Sequence, residues 1–280
     1  MGTKTGISWT DHTFNPWWGC TRVSPGCENC YAERGSKRYG YDIWGVDKAR
    51  RTFGEKHWNE PIRWNKDAMR ERKRHLVFCA SMADICDKDA PPGEIEKLWA
   101  LIKQTPWLDW QLLTKRPERI PLILPGDWSW GYENVWWGVS IESPKYVYRW
   151  KELQNINARC KFVSYEPALE LVMFDFFHPL PAWIIIGGES GINARTFDVE
   201  WARNVIRVGS IMGISIFMKQ LGSRVRGNDF YVELKGNGSD IEKMTRDLRI
   251  REFPAYFYRA LPTMGEKGGV GDDNRRVVSG

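Results

Sequence analysis

The 280-residue chain has no run of about 18 apolar residues, so it offers no candidate for a membrane-crossing helix. Its first residues, MGTKTGISWTDHTFN, lack the charged and apolar regions of a secretory leader. The opening MGTKTG also lacks the Ser or Thr that completes a myristoylation signal. No internal repeat of fixed period is present. The expectation is a cytoplasmic protein with no membrane partner, in a compartment where thiols stay reduced. An excess of one charge is also missing from most of the length. After residue 75 there are 26 basic and 26 acidic side chains, so the net +6 resides in residues 1–75, with 15 against 9.

That basic third contains "RGSKR" (34–38), "KARR" (48–51) and "RERKR" (70–74). Such a field favours a polyanionic partner, DNA or RNA, although "RERKR" also reads as the solvated end of a helix. Tryptophan is abundant, with 16 residues, many in local pairs. Indoles supply core area and also stack on bases. Trp17 and Trp18, between Pro16 and Gly19 and beside a cysteine cluster, are the pair expected to line a site.

Short apolar or β-branched runs recur: "HLVFCAS" (75–81), "DWQLLTK" (109–115), "NVWWGVS" (134–140), "CKFVSYE" (160–166), "AWIIIGGE" (182–189) and "ISIFMKQ" (214–220). Helical stretches lie between them at 91–105, 143–156 and 198–213. In the first, Ile95, Leu98, Trp99 and Ile102 share one helical face, and Asp198 reads as an N-cap. Alternating buried strands and helices predict an α/β fold with a parallel sheet. With a first strand near "GISWT" (6–10), this gives about seven units, a partial or complete β/α barrel. An open doubly wound sheet is the alternative. The expected organisation is one domain over 1–262, with a cysteine loop at 15–35 and a hairpin or lid at 222–240. The Gly-rich segment 263–280 is expected to be disordered. The strand ends carry Ser81, Asp84, Lys115, Arg116, Ser140, Glu142, Glu166, Glu189, Lys219 and Gln220, on the edge where parallel sheets bind ligands.

Cys20, Cys27 and Cys30 are spaced C-x6-C-x2-C, and the turn-forming "SPG" (24–26) bends the loop between them. A structural zinc site takes four ligands, with His12 as a candidate fourth. A [4Fe–4S] cluster held by three cysteines leaves one iron open. Incidental loop thiols are the third reading, and spacing alone leaves all three open. Cys79 and Cys160 sit in apolar runs as small hydrophobes, and Cys86 is ambiguous.

The segments "WTDHTFNPWWGC", "SPGCENCYA", "SMADICD", "LLTKRP", "VWWGVSIE", "SYEPAL" and "IIIGGESG" run in order over residues 8 to about 222. They resemble a phage- and prophage-associated three-Cys-motif family of unknown function. The three-cysteine loop after a first strand resembles the radical S-adenosylmethionine (SAM) superfamily, although its usual spacing is C-x3-C-x2-C. More distantly, "LLTKRP" and "VWWGVS" are similar to strand ends of spore photoproduct lyase, a radical SAM DNA-repair enzyme.

These resemblances imply an enzyme in which Cys20, Cys27 and Cys30 each ligate one iron of a [4Fe–4S] cluster. The fourth iron would bind SAM, whose reductive cleavage yields a hydrogen-abstracting 5′-deoxyadenosyl radical. On that reading Ser81 and Asp84 accept from the SAM ammonium group, Lys115 pairs with its carboxylate, and Ser140 and Glu166 bind ribose hydroxyls. Tyr31 covers the adenine, while Gly187, Gly188 and Glu189 form a close-approach turn. Trp17, Trp18, Arg116, Lys219 and Gln220 fall to the substrate, a nucleic acid or nucleotide undergoing modification or repair. An external electron donor of the flavodoxin or ferredoxin type, and a possible partner protein, complete the expectation, in the host cytoplasm if the chain is phage-encoded. The rival is a zinc-binding, non-enzymatic nucleic-acid-binding protein.

Overall fold

A computed structural model describes residues 5–254; the segment 263–280, expected to be disordered, lies outside them. Among the described residues ten strands occur in chain order: β1 His12–Thr13, β2 His75–Cys79, β3 Leu108–Thr114, β4 Val135–Ser140, β5 Cys160–Tyr165, β6 Trp183–Gly187, β7 Phe197–Asp198, β8 Ser215–Gln220, β9 Arg224–Gly227 and β10 Phe230–Glu233. The α-helices are α1 Tyr31–Arg38, α2 Glu55–Trp58, α3 Glu60–Glu71, α4 Glu94–Gln104, α5 Ile120–Ile123, α6 Tyr148–Gln154 and α7 Val199–Met212.

Strands β1-β2-β3-β4-β5-β6-β8 form one sheet in that order, and every neighbouring pair is parallel. The order never reverses, so the sheet has no doubly wound switch point. Its two edges do not pair with each other, which makes it a seven-stranded half-barrel. Strands β2, β4 and β6 are buried along their whole length, because helices cover one face and aromatic side chains fill the other.

The pleat sorts the tryptophans. Trp137 joins the large core beneath the helices, while its neighbour Trp136 faces the opposite, concave side. There Trp9, Phe78, Phe162, Trp183 and Phe217 pack around Trp136. Trp9 also explains why "GISWT" is not the first strand. Its indole is 1 % exposed in that concave core, and pairing begins only afterwards, with His12 opposite Val77 and Thr13 opposite Phe78.

The helix signals resolve into α4, with Leu98, Trp99, Leu101 and Ile102 buried, and into α7, whose N-cap Asp198 accepts from the Glu200 amide. The stretch 143–156 shortens to a 3₁₀ turn at Pro144–Tyr146 followed by α6. Within 222–240, β9 and β10 pair antiparallel, and β9 also pairs with β7, giving a small second sheet.

Candidate functional site

The segment between β1 and α1 lies across the C-terminal ends of the sheet strands. Gly19 adopts a positive φ, and a Cβ there would sit 2.4 Å from the Ile43 carbonyl oxygen, so only glycine fits. Pro25–Cys27 forms a 3₁₀ turn, and Cys30 is the N-cap of α1. Distant strand ends hold this roof. Ser24 Oγ donates to Glu142 Oε1 at 2.6 Å, and Asn29 Nδ2 donates to Glu189 Oε2 at 2.9 Å. Arg195 donates to the Pro25 carbonyl at 2.9 Å and pairs with Glu28 and Glu189. Glu142 is itself fully buried against Arg149 at 2.8 Å.

Beneath the roof lie two adjoining cavities of about 150 Å³ each, both bordered by Cys30, Tyr31 and Lys115. Together they reach the lower end of small-molecule sites, about 300 Å³. The first is lined by Cys20, Cys27 and Cys30 and by Ser81, Asp84, Lys115, Arg116 and Ser140. The second is lined by Glu166, Gly188, Glu189, Lys219 and Gln220. Gly187 lines neither; a Cβ there would lie 2.3 Å from Glu166 Oε1, so it makes room for that carboxylate.

All three cysteines are free thiols. Among the described residues no histidine and no fourth cysteine lines either cavity. No set of three or more His, Cys, Asp or Glu side chains among them is gathered around a single ion's position. A four-iron cluster places each thiolate on a different iron, so its three sulfurs need not share one coordination sphere. The donor set therefore suits a three-cysteine cluster better than a four-ligand zinc site. His12, the candidate fourth zinc ligand, is elsewhere. It shares a 3.1 Å hydrogen bond with His75 and stacks on Trp64.

A buried charge network holds Cys20. Arg116 Nη1 donates to Asp84 Oδ2 at 2.8 Å and lies 3.6 Å from Cys20 Sγ; Nη2 reaches the Thr21 carbonyl and lies 3.6 Å from Asp87. Burial, reinforced by the Asp84 charge, pushes the Cys20 thiol up to about 12 even beside Arg116. Burial also raises Cys30. Ligation needs thiolates, so the positive charge of a metal centre would have to complete the ionisation.

The network corrects two expectations. Asp84 accepts from the Cys86 amide, Thr114 Oγ1, the Lys115 amide and Arg116. Its four acceptor positions are taken, leaving none for an ammonium group. Arg116 is 5 % exposed and serves Cys20 and Asp84, not an open substrate groove. Lys115 and Ser140 lie at the cavity wall, joined at 3.1 Å.

Tyr31 donates to the Ser81 carbonyl at 2.7 Å, while the Ser81 hydroxyl is bonded to Asn15. Glu166 pairs with Lys219 at 2.8 Å, and Gln220 donates to the Gly188 carbonyl at 2.7 Å. Burial alone would raise the Glu189 carboxyl, but hydrogen bonds from Arg195 and Asn29 hold it below its usual range.

The tryptophan pair is displaced from these cavities. Trp17 is wholly buried in the large core. Trp18 packs against Tyr41 and Phe53 with the Arg51 guanidinium over its ring at 4.7 Å. The basic third is also partly neutralised. Arg50 pairs with Asp87 at 2.7 Å and Arg74 with Asp109 at 2.8 Å, both inside the protein. Arg38, Lys56, Arg63, Lys66, Arg72 and Lys73 stay exposed. Asn29 and Arg195 escaped sequence reasoning, because a tether shows no pattern until the fold brings its two ends together.

The family described as protein of unknown function (DUF5131) matches residues 4–254. The chain belongs to that family. No curated protein matches the DUF5131 chain significantly. Among solved structures, a spore photoproduct lyase double mutant with bound AdoMet and dinucleoside spore photoproduct is similar at 11% identity and a TM-score of 0.43. That alignment covers 77% of the DUF5131 chain and 57% of the lyase, so the chain spans little more than half of that relative. A single mutant of spore photoproduct lyase aligns at 11% identity and a TM-score of 0.48, over 86% of this chain and 72% of the other.

Proposed function

We propose that this chain is an iron–sulfur, SAM-dependent radical enzyme acting on nucleic acid or a nucleotide. The observation that carries the reading is the convergence of Cys20, Cys27 and Cys30 on one cavity at the C-terminal mouth of a parallel sheet, with no fourth thiol or imidazole lining it among the described residues. When bound there, a [4Fe–4S] cluster with SAM would supply one-electron reductive cleavage and hydrogen abstraction.

The chain's own residues hold and orient. The three cysteines are the ligands, and Arg116 fixes Cys20 and offsets the Asp84 and Asp87 charges around it. Lys115, at the shared border of both cavities, pairs with a carboxylate. Ser140 and the Glu166–Lys219 pair present polar groups to hydroxyls, and Tyr31 walls the site. The roof tethered by Glu142, Glu189 and Arg195 keeps water from the reacting centre. The exposed cations on α3 and beside it would attract a polyanion, and a flavodoxin- or ferredoxin-like donor would deliver the electron.

The test is the iron, sulfide and zinc content of protein purified without oxygen, with electron paramagnetic resonance after dithionite reduction. About four irons and four sulfides are expected, lost together in the Cys20→Ala/Cys27→Ala/Cys30→Ala variant, with a reduced-state signal that SAM perturbs. One zinc and no iron would overturn the reading in favour of a metal-stapled binding protein.

A further inference from the structure

A third cavity, of about 400 Å³, lies on the other side of Tyr31 from the cysteines. Six of its lining side chains are aromatic, Trp18, Trp64, His12, His57, Tyr31 and Tyr39, and polar residues such as Asn15 and Glu60 share the wall. Tyr31 borders this cavity and both cavities of the cysteine site, and Ser81 borders it and the first of them. The Tyr31 ring and its hydrogen bond to the Ser81 carbonyl are therefore the partition between them.

Helix α1 supplies the opening. It starts immediately after Cys30; Tyr31 and Gly35 fall at i and i+4 on one helical face, and Tyr39 is the C-cap residue that ends it. Tyr31 is 53% exposed and Tyr39 72% exposed. Gly35, between them, leaves a notch: a Cβ there would meet only the tip of Met82, at 3.9 Å. A glycine in a helix interior weakens the helix, and no close packing requires this one. The slot is thus bordered by aromatic rings. None of the cations lines the cavity itself, but Arg38 adjoins the lining residue Tyr39 in sequence, Lys56 on α2 adjoins His57, and Arg63 and Lys66 on α3 lie within two residues of Trp64. All four are exposed. Trp64 and Glu60 of the same α3 line the cavity.

Aromatic side chains suit a heteroaromatic ring, and exposed cations on the adjoining helix segments suit a phosphate backbone. We propose that this cavity receives one unpaired base of a single-stranded nucleic acid, held between Tyr31 and Tyr39 over the Gly35 notch and delivered to the edge of the cysteine site. The proposal deepens the functional reading above, from which it takes its polyanionic substrate, and it adds the place and the unpaired state of the base.

The test is fluorescence anisotropy of the full chain with labelled strands, without iron or SAM. Oligothymidylate and oligouridylate are compared with an abasic strand of the same length. The base-bearing strands are expected to bind about tenfold more tightly than the abasic strand, the contribution of stacking one base. Gly35→Leu, which fills the notch at a position with room for a side chain and favours the helix, is expected to erase that tenfold difference while leaving abasic binding unchanged. Tyr39→Ala is expected to do the same. Equal affinity of the wild-type chain for all three strands would overturn the proposal, leaving phosphate contact only. So would a Gly35→Leu variant that still prefers bases. A preference between the thymidylate and uridylate strands assigns DNA or RNA. Because no metal takes part, failure of the iron measurement leaves this result standing, and failure here leaves the cluster standing.

Discussion

Arg116 shows how the fold decides which partners a strand-end arginine meets. Beside Pro117 at a strand end, an arginine suggests a ligand contact. The fold instead seals it among Asp84, Asp87 and Cys20. Removing one partner of a buried ionic network leaves the others uncompensated, typically at about 3–5 kcal/mol. Arg116→Gln is expected to lose about that much in urea unfolding of the metal-free protein. Adding Asp84→Asn should restore part of the loss, and strict additivity in the double-mutant cycle would show that the two do not act as a unit.

His12 makes a second prediction at this scale. Burial, then the neighbouring His75, brings it down from 6.5 to about 4. Between those values the unfolded chain takes up a proton that the folded chain refuses, so stability falls as pH is lowered through that window. A decline of about 2 kcal/mol is expected, discounted for partial exposure. His12→Gln should flatten the curve; an unchanged slope would assign the titration to another group.

At the scale of elements, six strands of the main sheet lie within two residues of where their apolar runs placed them, because a strand buried on both faces has nowhere to put a polar residue until it ends. The first strand moved, since no local pattern says that Trp9 fills the concave core. The strand-end residues were legible for a related reason: in a parallel sheet every such end faces the same edge. Which of them would be consumed by internal pairing was not legible. Asp84 and Thr114 meet at 2.7 Å across 30 residues of chain, and nothing in either segment announces it. The two tryptophans of "PWWGC" part company because adjacent residues diverge in direction: Trp17 is buried in the large core, while Trp18 borders the third cavity. Packing of α7 on β8 yields a further prediction. Gly→Ala in a helix ordinarily stabilises, yet a Cβ on Gly209 would lie 2.5 Å from Ile216 Cγ1. Gly209→Ala is expected to destabilise by about 1–3 kcal/mol in chemical denaturation, and a stabilised variant would show that the two elements yield easily.

For the molecule as a whole, the half-barrel sets what can approach what. An open sheet has a long mouth, and one loop from the start of the chain roofs it. The charge surplus of the N-terminal third survives folding only in part, since Arg50 and Arg74 turn inward, and its exposed remainder gathers near α3. The roof's tethers reach far along the chain: 118 residues from Ser24 to Glu142, 160 from Asn29 to Glu189 and 170 from Pro25 to Arg195. This carries a consequence in time. At synthesis rates of about 5–20 residues per second, roughly 10–35 s separate the emergence of Pro25 from that of Arg195. Through that interval the three thiols are exposed on a nascent chain that cannot yet fix their spacing. The geometry that brings the three sulfurs to one cavity is therefore complete only after the strands that hold the roof have left the ribosome.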